Sequence, residues 1–194
     1  FSLSRGLGDV YKRQGWDSIV PYTDVGMDEI QALVQDTIFS RSPSALKRTG
    51  IFIGGRDSHL AMDMIEETRK HMVPPFEVPV FADPSGAFTT AAGMVAITEK
   101  ALKDKFSEDF KNKKVVILGG TGPVGVASAV ISAKAGNEVL LVGRSLEKAE
   151  GIAKICNEKY GSKSVVGAAD GDKSSFLTDT DVVFNTGAAG IQLM

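Results

Sequence analysis

Three glycines, Gly120, Gly122 and Gly125, follow the spacing G-x-G-x-x-G between an apolar run, Lys114 to Leu118, and a helix-forming segment that opens at Pro123. The chemistry of that motif needs this context. Gly120 permits a tight turn, Gly122 lets the backbone approach a pyrophosphate, and Gly125 lets the helix pack close to the sheet. The N–H groups and positive dipole end of the first helical turn then face the phosphates, and Pro123 gives up a donor the helix does not use. Gly120, Thr121, Gly122, Pro123, Val124 and Gly125 are read as a dinucleotide phosphate loop. A glycine-rich turn without a ligand is the competing reading, and the flanking strand and helix weigh against it.

The next strand ends in Val142-Gly143-Arg144-Ser145-Leu146-Glu147-Lys148. A loop specific for NAD places an Asp or Glu here to accept from the ribose 2′-hydroxyl, and none is present at that spot. Arg144 offers a planar fork suited to a phosphate, Ser145 can donate and can cap the helix, and Lys148 adds a second cation one turn on. This favours the 2′-phosphate of NADP, against the plainer reading of a solvated helix start. A third strand, Asp181 to Asn185, runs into Thr186, Gly187 and Ala188, which would line the nicotinamide side of the sheet edge or form an ordinary strand-to-helix turn.

The elements that must position these residues alternate. Helical spacing of Met27, Ile30, Leu33 and Val34 predicts a helix over 26–36. Strands are expected over 51–54, 78–82, 114–118, 138–142, 164–168 and 181–185, and helices from Asp57 on and over 89–103, 123–135 and 146–160. Asp83-Pro84-Ser85-Gly86 reads as a turn. Such alternation predicts an α/β fold with parallel strands and helices on both faces. The expected organisation is a small N-terminal α/β domain over 15–108, then a Rossmann-type doubly wound sheet over 109–194 that is incomplete at its C-terminus. Residues 1–14 lack any period and read as a non-native lead-in.

The chain has 194 residues, 43% hydrophobic and 24% charged, with a net charge of -2. That balance argues against a nucleic-acid partner held by phosphate neutralisation. No run of about 18 apolar residues suggests a membrane span, so a cytoplasmic setting is expected. Cys156 is the lone cysteine and His59 and His71 have no second ligand at metal spacing, so no metal site is expected. Cys156 sits among Ile152, Ala153 and Ile155 and reads as a small buried residue, and both histidines read as surface or rim residues.

The glycine loop from Leu118 to Gly125, Val142-Gly143-Arg144 and Phe184-Asn185-Thr186-Gly187-Ala188 together resemble the NAD(P)-dependent methylene-tetrahydromethanopterin dehydrogenases of bacterial one-carbon metabolism. Thr37 to Arg41, Ile51 to Gly55 followed by Asp57, and Asp83 to Ala92 resemble the N-terminal domain of that family, so the likeness runs from about Trp16 to the last residue. The resemblance implies hydride transfer from the methylene carbon of methylene-tetrahydromethanopterin to NADP in formaldehyde oxidation, with the pterin in a cleft between two domains. It maps Asp57, Asp83, Thr89 and Thr90 to the substrate side. Asp57 reads equally as a helix cap, Asp83 as a turn former, and the threonines as a helix start.

Hydride transfer needs no obligatory acid or base, and no His-Asp or Cys-His constellation is seen, so no catalytic side chain is assigned. Ser145 stands where some members carry a second basic residue, which leaves use of NAD beside NADP open. Related folate dehydrogenase/cyclohydrolases carry a Tyr-x-x-x-Lys pair, whereas Tyr22 is followed four residues on by Gly26, so no cyclohydrolase activity is expected. A homo-oligomer is expected of the full-length protein. The alternatives are a shikimate dehydrogenase-like enzyme, a methylene-tetrahydrofolate NADP dehydrogenase, and a non-catalytic NADP-binding module.

Overall fold

The computed structural model describes residues 15–169, 171 and 173–187. In chain order its elements are α1 (Ile30–Phe39), α2 (Pro43–Leu46), β1 (Ile51–Ile53), α3 (Ser58–Lys70), β2 (Val80–Ala82), α4 (Ala87–Phe106), β3 (Lys114–Leu118), α5 (Pro123–Lys134), β4 (Glu138–Gly143), α6 (Leu146–Glu158), β5 (Val165–Ala169), α7 (Lys173–Leu177) and β6 (Val182–Asn185). The protein is α/β with parallel strands, as the alternation predicts. The short helices α2 and α7 were not expected, because a turn or so of helix carries no readable period. None of the described helices is long and apolar enough to cross a membrane.

The chain divides into two compact units. One takes in the described residues up to Thr49 together with Glu66–Val78. Its first helix begins later and ends later than the periodicity suggests. A 3-10 turn, Met27–Glu29, comes first, and the Glu29 carboxylate accepts from the Gly26 N–H at 2.8 Å, which satisfies a donor that helix geometry leaves unpaired. Ile30, Val34 and Ile38 then form the buried stripe of α1. Within this unit Phe39 meets Phe76 edge-on at 5.6 Å.

The other unit, Gly50–Ile65 with the chain from Pro79 on, holds both sheets. In the two-stranded sheet β1 pairs with β2 in parallel. Ile53 and Ala82 are buried on one face, while Phe52 and Phe81 sit side by side on the other, 5.9 Å apart. The four-stranded sheet has the order β5-β4-β3-β6, all parallel. The chain therefore winds one way from β3 and returns to its other side at β6. Strand order reverses there, and in such sheets the crevice outside the carboxyl ends at the reversal receives ligands.

Strand β3 is buried from Val115 to Leu118 because both its faces are covered, the reason its sequence is a continuous apolar run. On one face Val115 and Ile117 pack with Val139, Leu141, Val165, Val182 and Phe184 against Val126 and Ala129 of α5 and Ala149 and Ala153 of α6. On the other, Val116, Leu118, Val142 and Ala168 meet Phe176 and Leu177 of α7. Each large side chain at 1% exposure or less, such as Ile117, Leu118 and Leu141, stabilises the fold by about 1.5–3 kcal/mol. Asn137, 1% exposed, fastens the amino edge of the sheet: its Oδ1 accepts from the Lys113 N–H at 2.9 Å and its amide donates to the Ser132 carbonyl at 3.0 Å.

Cys156 is fully buried in the larger core, and burial pushes its thiol up to about 11. The thiolate is the nucleophile, so at neutral pH this residue is chemically inert in the folded chain. Iodoacetamide is expected to leave Cys156 unmodified in buffer and to label it completely in denaturant, as read by intact mass. Native labelling at the rate of a peptide thiol would contradict its place in the core.

Candidate functional site

The loop after β3 is anchored before it reaches the helix. The Gly120 N–H donates to the Val142 carbonyl at 2.9 Å, tying the turn to the end of β4, and Gly122 closes back on the Gly119 carbonyl at 3.2 Å. A Cβ on Gly120 would lie 2.7 Å from Leu141 Cγ and 2.9 Å from the Ile117 carbonyl oxygen. A Cβ on Gly125 would lie 2.5 Å from the Gly120 Cα and 2.6 Å from its carbonyl oxygen. Glycine on glycine brings α5 against the turn, as the motif requires.

Gly122 differs. Its backbone is extended, with φ -85° and ψ 166°, open to any residue, and a Cβ there would meet only the Gly119 carbonyl oxygen, at 3.6 Å. Among the described residues, nothing in the chain's own packing asks for glycine here. The recess that the missing side chain leaves adjoins the start of α5, whose Val124 and Gly125 N–H groups have no carbonyl one turn back. A pyrophosphate fits that combination of space, donors and dipole.

Two further loops meet the first. Thr121 turns its methyl onto Gly143 at the end of β4, where a Cβ would come within 2.5 Å of it. Arg144 follows immediately, is exposed, and makes no ion pair among the described residues. Ser145 caps α6, its hydroxyl oxygen accepting from the Lys148 N–H at 3.3 Å, and Lys148 is exposed in that first turn. After β6, the Thr186 N–H and hydroxyl both donate to the Leu118 carbonyl at 2.9 Å. Thr186 is thereby committed to holding β6 against the loop after β3. Gly119, with φ 69°, approaches Gly187 so closely that a Cβ would lie 2.8 Å from its nitrogen. Ala188 lies outside the described residues.

The residues expected on the substrate side sit at and just beyond the carboxyl ends of β1 and β2. Asp57 caps α3: its Oδ1 accepts from the N–H groups of His59 at 2.9 Å and Leu60 at 3.0 Å, and the Leu60 bond leads in holding its carboxyl below the ordinary Asp value. Asp83 Oδ1 accepts from the Phe88 and Thr89 N–H groups at 2.8 and 3.2 Å, and its Oδ2 accepts from the Thr89 hydroxyl at 2.6 Å. The structure brings Asp83 and Thr89 together as one helix-start unit. Thr90 is exposed beside them.

Sequence reasoning missed several residues here. His59 is half-buried, as a rim residue would be, but its partners were not foreseen. Its Nδ1 lies 2.6 Å from the Tyr160 hydroxyl, the two rings stack at 5.7 Å, and Lys159 pairs with Asp63 beside them. Gly119, Gly143 and Ser85 carry weight through contacts far along the chain, so no local pattern could reveal them.

Residues 11–85 match the family model described as methylene-tetrahydromethanopterin dehydrogenase, N-terminal. The chain is 44% identical over 185 residues to the NAD(P)-dependent methylenetetrahydromethanopterin dehydrogenase of Methylorubrum extorquens, covering 93% of this chain and 62% of the relative. The Bifunctional protein MdtA of the same organism is 36% identical over 184 residues with the same coverage of 93% and 62%. The shikimate dehydrogenase (NADP(+)) of Halothermothrix orenii is 33% identical over 95 residues, 48% of this chain and 33% of that one. The chain thus spans less than two thirds of the length of these relatives.

Proposed function

We propose that the chain, whose residues 11–85 match the methylene-tetrahydromethanopterin dehydrogenase N-terminal model and which is 44% identical to such an enzyme over 185 residues, serves an oxidoreductase that takes a hydride from the methylene carbon of methylene-tetrahydromethanopterin, leaving the methenyl form, in formaldehyde oxidation. The observation that carries the nucleotide half of this reading is Gly122: a glycine that the packing of the described residues does not need, at the N-terminus of α5, where the strand order reverses. Bound NADP supplies the carbon that accepts the hydride.

The chain's own residues bind and orient. The N–H groups of Thr121, Val124 and Gly125 take the pyrophosphate, with Gly120 and Pro123 shaping the turn, and Gly187 and Thr186 hold the wall after β6. Arg144, with Lys148 behind it, takes the 2′-phosphate as a charge-assisted partner. Ser145 is neutral and already caps α6, so the site does not repel a bare ribose and NAD is accepted at lower affinity. On the substrate side Asp57, Asp83, Thr89 and Thr90 present two carboxylates and two hydroxyls to the pterin ring N–H and amino groups, and the carboxylates stabilise the cation left after hydride departure. No side chain has to move a proton in this step. The reading carries no cyclohydrolase activity.

Arg144→Ala tests the assignment. NADP affinity is expected to fall by about 1.5–3 kcal/mol while NAD affinity stays near the wild-type value, measured by titration of both cofactors. Equal losses for the two would remove the 2′-phosphate from Arg144. Assays with methylene-tetrahydromethanopterin, methylene-tetrahydrofolate and shikimate decide the substrate, and turnover of shikimate alone would refute the reading.

A further inference from the structure

The last rung joining β1 and β2 runs from the Asp83 N–H to the Ile53 carbonyl at 3.1 Å. Beyond it the strands part into two loops, Gly54 to Asp57 and Asp83 to Gly86, which carry the carboxylates of the substrate side. A side-chain bond crosses between them: the Ser85 hydroxyl donates to the Gly55 carbonyl at 3.0 Å. Ser85 makes it from a left-handed backbone, with φ 53° and ψ 26°, and is followed by Gly86 at φ 70°. Glycine, asparagine or aspartate tolerates that conformation far better than serine does. A strained residue persists where its surroundings hold it there, and strain of this kind collects at ligand clamps. A glycine at position 85 would make the same turn without strain, and what it would lack is the hydroxyl.

We propose that Ser85 is a positioning residue for the substrate. Its hydroxyl sets the separation of the two loops, and through them the placement of the Asp57 carboxylate on one side and of Asp83, Thr89 and Thr90 on the other. The inference rests on the reading that the pterin lies along this edge. Asp57 is held by its bonds to α3 and Asp83 by its bonds to α4. Each carboxylate is thus fixed within its own helix start. The relative position of the two starts depends on what crosses from loop to loop, and the Ser85 bond lies at that crossing.

Two variants separate the hydroxyl from the backbone. Ser85→Gly removes the bond and relieves the strain, and Ser85→Ala removes the bond and keeps the strain. Four quantities are measured on the whole chain: melting temperature, Kd for NADP, Kd for methenyl-tetrahydromethanopterin, and amide hydrogen exchange across residues 54–57. Ser85→Gly is expected to melt no lower than wild type, to bind NADP unchanged, to exchange faster at residues 54–57, and to bind the pterin about tenfold more weakly, the scale of one lost hydrogen bond. Ser85→Ala is expected to lose the same pterin affinity and to melt lower. Unchanged pterin affinity in Ser85→Gly, with exchange as in wild type, overturns the proposal and leaves Ser85 a turn former. A wild-type chain that binds NADP but no pterin overturns the substrate reading and the role built on it. Exchange, which needs no ligand, shows in that case whether the clasp exists apart from the substrate.

Discussion

Gly122→Ala is expected to lower NADP affinity by about a hundredfold while moving the melting temperature by no more than about 3 °C. The two halves of that result come from different physics. In the protein alone a methyl at this position meets only the Gly119 carbonyl oxygen, at van der Waals distance, and the backbone angles suit any residue. Lower unfolded-state entropy stabilises by about 0.4–1 kcal/mol, and alanine is a poorer N-cap than glycine by a similar amount, so the two nearly cancel. In the proposed complex the methyl would stand where the pyrophosphate approaches the start of α5. Two charge-assisted bonds at about 1.5 kcal/mol each are then lost or stretched, which is the hundredfold. Calorimetric titration and a thermal melt on the same sample check both halves. An unaltered NADP affinity would remove the phosphate from this loop. A collapsed melting temperature would mean that Gly122 serves the fold and not a ligand.

Gly125→Ala, three residues along the same motif, is expected to do the reverse. Its methyl would lie 2.5–2.7 Å from the Gly120 Cα, carbonyl carbon and carbonyl oxygen, all backbone atoms that cannot rotate away. Helix α5 would have to back off from the turn, and with it Val126 and Ala129, which are packed into the larger core. Overpacking of a tight core costs about 1–3 kcal/mol when side chains can adjust, so a contact made by backbone on both sides is expected to reach about 3 kcal/mol or more. For a chain of this size that is a fall of roughly 6–12 °C in melting temperature, seen without any ligand present. Cofactor affinity falls as a consequence, because the donors of α5 leave their place. A melting temperature equal to wild type would show that α5 lies farther from the loop than the structure places it.

These two glycines look alike in the sequence. The pattern G-x-G-x-x-G between an apolar run and a helix is legible because each feature is local: β3 is continuous in apolar residues since both its faces are covered, and the turn and helix start lie within a few residues of it. The same locality made the order of strands and helices readable, and with it an α/β fold with parallel strands. It also made Asp57 and Asp83 readable as residues at strand ends. Both accept from helix-start N–H groups, Asp57 from His59 and Leu60 and Asp83 from Phe88 and Thr89, and a carboxylate held this way keeps lone pairs for a ligand.

By itself the sequence determined the alternation of elements, the phosphate-loop motif and the positive character of the segment after β4, all set by short-range spacing and residue type. Only the tertiary structure decided which loops meet. Gly143 is needed because Thr121 lies over it, Gly119 because Gly187 approaches it, Asn137 because Lys113 and Ser132 present it with polar groups that burial would otherwise leave unpaired, and Ser85 because Gly55 stands opposite. Each of those partners is distant along the chain or in another element, and periodicity carries no signal for a contact that exists only after parallel strands have been brought side by side.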